Sequence, residues 1–571
     1  MAEEKSDIVS TDSNSKEKIS QSEHAHDDEK FELKTVKPGD RILTETEKKR
    51  VRNAAYAAAT ANGQLDKWSK ESLHLYFACF VSFLCACANG YDGSLFSGLS
   101  PMPYYQSAFQ SGIVGNKVSL IFSMYTVGSM IGAFSAGPIA DRFGRRVGMF
   151  VGGIVIIVGM ITVASAHHIN QLIGGRFILG WGISIMTVAA PSYCLEISPP
   201  HWRGKMVGVY NNGWFGGSVP AAAITFGCLY INSNWSWRIP MIFQGVPAGF
   251  VLIFVWFIPE SPRWLMQNGR SEEARAFLVK YHGNNDPHSP LVKLEWEEFQ
   301  EKIQIDGSDK RWWDYRALFM TKNARWRFAM VLMISIFGQF SGNGLGYFNN
   351  VIYGQLGYDS PATQLGLNLA NSCGSAVVGL TAASLSDRMP RIKVLSIGTF
   401  ICALLLAVNA GCNAKWAETP TDANGNLIDP PLAIARLGLA AYFLFNFVYT
   451  FSYTPLQGVY PVENLENTAR AKGMALSGVL VSLVGFINTY AGPIALANIK
   501  NNYTWVFVGW DLIEASLWYL CGVETVGRTV EELDEIYNAP YPPFASRKFN
   551  ATLAVTKDGH VDAVVEEDNQ I

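Results

Sequence analysis

Long, mostly apolar stretches alternate with short polar segments between residues 75 and 523. A helix needs about 20 such residues to cross the hydrocarbon of a bilayer. Twelve stretches qualify. In the first half of the chain they are roughly 75–97, 118–138, 147–166, 171–193, 206–230 and 238–258. In the second half they are roughly 328–352, 365–385, 393–412, 437–460, 474–496 and 503–523. Several contain Gly, Pro, Asn or Gln, which suits helices packed around a polar cavity. The pattern predicts an all-α membrane protein of twelve transmembrane helices.

Two basic runs organise these spans. Asp141-Arg142-Phe143-Gly144-Arg145-Arg146 lies between the second and third, and Asp387-Arg388-Met389-Pro390-Arg391 between the eighth and ninth. Lys and Arg resist translocation, so both runs are expected on the cytoplasmic side. Their recurrence predicts a duplicated domain, a common plan for membrane carriers. The expected organisation is a disordered N-terminal tail (1–70), a six-helix half (71–258), a cytoplasmic linker with short amphipathic helices (259–327), a second six-helix half (328–523) and a C-terminal tail (524–571). An even number of spans puts both termini in the cytoplasm, in keeping with Lys48-Lys49-Arg50-Val51-Arg52 before the first span.

Composition narrows the classes. Of 571 residues, 49% are hydrophobic and 16% charged, and the net charge of −3 excludes a nucleic-acid binder. The nine cysteines lie in or beside apolar spans without metal-type spacing and are expected to be small buried side chains. His167 and His168 show no ligand spacing either, and no cofactor motif is present. No nucleophile–base pair or phosphate loop points to an enzyme. Asn234 and Asn502 head glycosylation patterns that hug the membrane.

An ordered set of motifs then carries a resemblance. It comprises Gly90-Tyr91-Asp92-Gly93, the first basic run, Gly175-Arg176, Glu196 with Arg203-Gly204, Pro259-Glu260-Ser261-Pro262-Arg263 and Gln339-Phe340-Ser341-Gly342-Asn343. Glu463 with Arg470-Ala471-Lys472-Gly473, and Glu524-Thr525-Val526-Gly527-Arg528, complete it. Together they resemble the sugar porters of the major facilitator superfamily. Asn212-Gly213-Trp214-Phe215, the stretch 336–347 and Thr454-Pro455-Leu456-Gln457-Gly458 are similar to fungal cellodextrin (cellobiose) transporters and lactose permeases. The resemblance implies a plasma-membrane carrier of β-linked disaccharides, coupled to protons and working as a monomer in the bilayer.

Asp92 stands near the end of an apolar span, where a carboxylate is costly unless paired. The resemblance pairs it with Arg176 and makes it the proton acceptor; a static packing pair is the alternative. Sugar hydroxyls need both donors and acceptors, which amides offer. Asn211, Gln339, Asn343, Gln457 and Asn488 are therefore the candidate contacts, with Tyr347, Phe348, Trp214 and Phe215 as stacking or outer-gate aromatics. Each has a helix-packing alternative. The family's paired glutamines of the seventh span become Gly338 and Gln339, its asparagine position is Gly344, and its pocket tryptophan position is Gly458. The family's fifth-span glutamine position is Asn211, a shorter amide, and the loss of bulk at Asn211 and Gly458 together is expected to admit a second sugar ring. Asp141, Arg142, Arg145, Glu196 and Arg203, with Asp387, Arg388, Arg391, Glu463 and Arg470, are expected to form the cytoplasmic gate that holds the outward-open state. A facilitator without proton coupling and a non-transporting sugar sensor are the rival functions, the sensor disfavoured by the short segment after the last span.

Overall fold

In the computed structural model the described residues are 68–548, apart from 111, 309–314, 387–388, 421–427, 429, 466–469, 527 and 529, together with 551–555 and 561–566. The expected helices form. The spans of the first half are Lys70–Leu99, Asn116–Phe143, Arg145–Ala164, Ile169–Ile197, Pro200–Cys228, and a sixth built from Trp235–Phe243 and Gly245–Phe254. The seventh to ninth are a broken helix (Lys322–Phe340, Asn343–Phe348 and Asn349–Gln355), Pro361–Leu385 and Arg391–Ala417. The tenth is broken at Pro455 into Leu432–Tyr453 and Leu456–Asn464, and Arg470–Ile499 and Tyr503–Cys521 complete the set. Ala551–Val555 and Val561–Glu566 pair as an antiparallel hairpin in a separate unit.

Large apolar side chains face outward along the bundle, among them Phe134, Val377 and Tyr519, each at least 60% exposed, as a lipid-facing surface requires. The fifth and eighth spans fall short of the apolarity of the rest among the described residues. They carry Asn211, Asn212, Gln364, Asn368 and Asn371, and they pack on each other between the two halves, where polar groups find partners. The second and eleventh spans make the matching contact, with Thr126 Oγ1 3.4 Å from Thr489 Oγ1.

Close packing sets the first span against the fifth. A Cβ added at Gly90 would fall 1.9 Å from the Trp214 carbonyl oxygen, and one at Gly93 would fall 2.3 Å from the Trp214 ring. These glycines place Asp92, between them in sequence, in the bundle interior.

The linker docks as helices Pro262–Gln267, Ser271–Tyr281 and Pro290–Ser308. His282 lies between Glu295 Oε2 (2.6 Å) and the Ile197 carbonyl (3.0 Å) at the end of the fourth span. His74, at the base of the first span, meets the Tyr281 hydroxyl at 2.8 Å. The segment after the twelfth span is more than a tail. Helix Val530–Asn538 buries Leu533, Ile536 and Tyr537, and Arg327 of the seventh span pairs with Asp534 at 2.5 Å.

Candidate functional site

Arg176 reaches across from the fourth span and donates from Nη1 to both oxygens of Asp92, at 2.9 and 3.0 Å. Both residues are buried, at 2% and 1% exposure, so the pair is withdrawn from water in this conformation. The guanidinium also donates to the Ile121 carbonyl (3.3 Å) and lies between the rings of Phe96 and Tyr125, at 4.1 and 4.5 Å from their centroids. Phe96 packs on Phe122, and Phe122 packs on Tyr347 and Phe348 of the broken seventh span. A continuous aromatic path therefore runs from the ion pair in the first half to the broken seventh span of the second. Tyr347 and Phe348 stand at this contact between halves. Trp214 lies over Gly93 instead.

The seventh span breaks because Gly342 adopts φ +89°, a left-handed conformation in which a Cβ would meet the Phe445 ring at 2.4 Å. Amides from neighbouring spans gather on either side of this break. Gln457 donates to the Gly338 carbonyl (3.1 Å) and to the Tyr449 hydroxyl (3.2 Å), and occupies the space where a side chain at 338 would begin. Asn488 donates to the Gln339 carbonyl (2.8 Å) and lies against Gly344, 3.0 Å from where its Cβ would be. At both glycines that depart from the family pattern, an amide from another span fills the gap.

Asn211 faces Gly458 across the two halves. A Cβ at 458 would fall 2.5 Å from Asn211 Nδ2, so here the glycine admits that amide rather than leaving a void. Asn211 Nδ2 is buried and donates to no acceptor among the described residues, a costly arrangement unless a ligand supplies one. Asn343 opens the short turn after the break, and its side chain lies outside the described residues.

The basic runs give two matching networks. In the first, Arg145 donates to Glu196 through Nε (3.1 Å) and Nη2 (3.2 Å), to Asp141 (3.2 Å) and to the Ala140 carbonyl (2.9 Å). In the second, Arg391 donates to Glu463 (2.9 and 3.3 Å) and to the Ser386 carbonyl. Ser261 donates to Glu196 as Thr525 donates to Glu463. Glu260 accepts the Arg146 backbone N–H at 3.4 Å, and Glu524 accepts those of Arg391 and Ile392 at 2.9 and 3.1 Å. Each carboxylate thus caps the start of a helix whose own preceding residue, Gly144 or Pro390, has no capping side chain. Burial pushes the Glu260 carboxyl up from its ordinary range, opposed by the Ser261 N–H and by Arg146.

Glu260, Ser261, Glu524 and Thr525 complete these networks, although their sequence motifs carried no assigned role. Their signal was the repetition of Glu followed by Ser or Thr after the sixth and twelfth spans. Arg142 stays exposed on the surface beside Phe143. Asp387 and Arg388, and the side chains of Arg203 and Arg470, lie outside the described residues.

These Arg–Glu pairs each lie within one half. They are formed while the opposite ends of the halves touch, where Asn350 donates to the Ser97 carbonyl and Asn368 to the Ser97 hydroxyl (3.5 Å). The Arg–Glu pairs and this contact between the halves are present together.

A duplicated bundle with an interior ion pair and buried amides between its spans is the architecture of a carrier. Residues 78–537 match the family of sugar (and other) transporters, and the chain belongs to that family. It is a membrane transporter, not an enzyme. A high-affinity glucose transporter of Kluyveromyces lactis is 28% identical over 500 residues, covering 85% of this chain and 89% of the relative. Myo-inositol transporter 2 of Cryptococcus neoformans is 27% identical over 510 residues, covering 85% and 88%. The proton:xylose symporter XylE bound to 6-bromo-6-deoxy-D-glucose superposes with a TM-score of 0.65 at 20% identity, covering 82% of this chain and 100% of that one. That likeness shows the fold.

Proposed function

We propose that the chain imports a β-linked disaccharide (cellobiose or a cellodextrin, or lactose) by proton symport across the plasma membrane. Both termini and the two Arg–Glu networks face the cytoplasm. The protein works as a monomer by alternating access.

The observation that carries the coupling is the buried Asp92–Arg176 pair and its aromatic path to the seventh span. Proton binding to Asp92 releases the guanidinium. The rings of Phe96 and Phe122 connect that change to Tyr347, so the outer contact opens or closes with the state of the pair. The observation that carries sugar binding is the Asn211 amide opposite Gly458, which lacks an acceptor among the described residues. A sugar hydroxyl supplies the acceptor that Asn211 lacks. When the halves part, Gly458 leaves room that a tryptophan would fill, which favours a second sugar ring.

The relatives' names point to a hexose or a cyclic polyol as the rival cargo. Uptake of labelled cellobiose, lactose and glucose in a transport-null yeast separates the two. Accumulation of a disaccharide supports the proposal. Accumulation of glucose alone overturns it.

A further inference from the structure

The second half holds two intramembrane carboxylates that the proposed cycle does not use. Asp511 and Glu514 are three residues apart on the twelfth span, on one face of the helix, and both are 0% exposed. Neither oxygen of Asp511 has a hydrogen-bond partner among the described residues. Glu514 is engaged by the Trp510 indole and the Ser341 hydroxyl. Ser341 also donates to the Phe337 carbonyl at 2.6 Å and immediately precedes the left-handed Gly342 at which the seventh span breaks.

The groups that bear electrostatically on the pair from neighbouring elements are Cys402 of the ninth span and Tyr449 and Tyr453 of the tenth. None carries a positive charge. Among the described residues, the basic side chains of the seventh and ninth spans and of the turn after the eleventh are paired elsewhere or exposed. Arg327 of the seventh span is bound to Asp534 and Arg391 of the ninth to Glu463, while Lys393 of the ninth and Lys500 after the eleventh are exposed.

We propose that Asp511 and Glu514 form a second proton-binding site, in the second half, that acts through Ser341 on the break in the seventh span. An ionised carboxylate buried in a span without a cation or donors is strongly disfavoured, whereas a protonated one is accommodated. Asp511, with both oxygens unpartnered, is therefore a proton carrier in this conformation. Glu514 accepts or donates toward Ser341 according to its proton, so a change there alters the hydrogen bonding at the hinge. The site is separate from Asp92 and does not depend on which sugar is carried.

The test is infrared absorption of the purified full-length protein, following the carbonyl stretch of protonated carboxyl groups in H2O and D2O across a pH series. The parent is expected to keep such a band at pH values where exposed carboxyls have ionised. Asp511→Asn and Glu514→Gln should each remove part of it. In yeast expressing these variants, the pH profile of sugar uptake should flatten on its alkaline limb, because each amide mimics the protonated acid. Absence of the band in the parent overturns the proposal without any variant. So does a band that both variants retain in full, or one that follows sodium concentration at fixed pH. Because the band needs no sugar, this outcome is independent of whether Asp92 couples transport.

Discussion

The two halves treat their buried carboxylates in opposite ways. In the first half Asp92 is held by two hydrogen bonds from one guanidinium, which is itself clamped between two rings. In the second half Asp511 has no hydrogen-bond partner and Glu514 meets only neutral groups among the described residues. At the Arg–Glu networks the halves are close copies, down to the Ser261 and Thr525 hydroxyls on Glu196 and Glu463. Duplication preserved the charges that fix helix ends and diverged where the interior does chemistry. A carboxylate with a cation is ready to exchange its partner for a proton; one without a cation is ready only to keep a proton.

The comparison breaks first at Arg176. Arg176→Ala leaves Asp92 buried without its cation, a change that costs about 3–5 kcal/mol for a buried pair. Sugar transport should be lost in both accumulation and counterflow assays. Asp92→Asn is gentler, because it keeps the shape and removes the proton site. Accumulation against a gradient should be lost while counterflow, which needs no proton, continues. Equal loss of both activities in Asp92→Asn would return the pair to a packing role.

Next in size is the pocket. Gly458→Trp puts an indole where Asn211 now lies, and disaccharide uptake should fall much more than any residual hexose uptake. Parental cellobiose uptake in this variant would sink the pocket-size argument. Arg145→Ala should leave sugar affinity near parental in a binding assay but slow uptake, since Arg145 touches Glu196 and Asp141 rather than the amides. An unchanged uptake rate would leave that run as a topology signal only. Smallest are Ser261→Ala and Thr525→Ala. Each removes one hydroxyl from a carboxylate, worth about 1.5–3 kcal/mol for a hydrogen bond to a charged group, and should lower thermal stability in the membrane extract with little change in uptake. Comparable losses in both variants would support the equivalence of the two networks.

Much of this was legible in the chain itself. Most of the twelve spans followed from apolar length, the polar fifth and eighth least clearly. The Asp92–Arg176 partnership came from the family resemblance, and the gate charges were expected as a group without the individual Arg–Glu pairs that the structure shows. The docking of residues 530–538 did not, because Leu533, Ile536 and Tyr537 form too short an apolar stripe to announce a partner. Nor did the replacement of lost family amides at Gly338 and Gly344, since Gln457 and Asn488 come from distant spans. Asp511 and Glu514 escaped notice because the twelfth span was recognised by its length of apolar residues. Their spacing of three, inside a membrane span, was the available signal.

The central claim is that sugar entry carries protons through the Asp92–Arg176 pair. The most direct measurement records internal pH and labelled cellobiose together in proteoliposomes containing the parent and Asp92→Asn. The account predicts sugar-dependent acidification of the lumen in the parent, and counterflow without acidification in the variant. Cellobiose entry with no pH change in the parent, or acidification that survives Asp92→Asn, would contradict it.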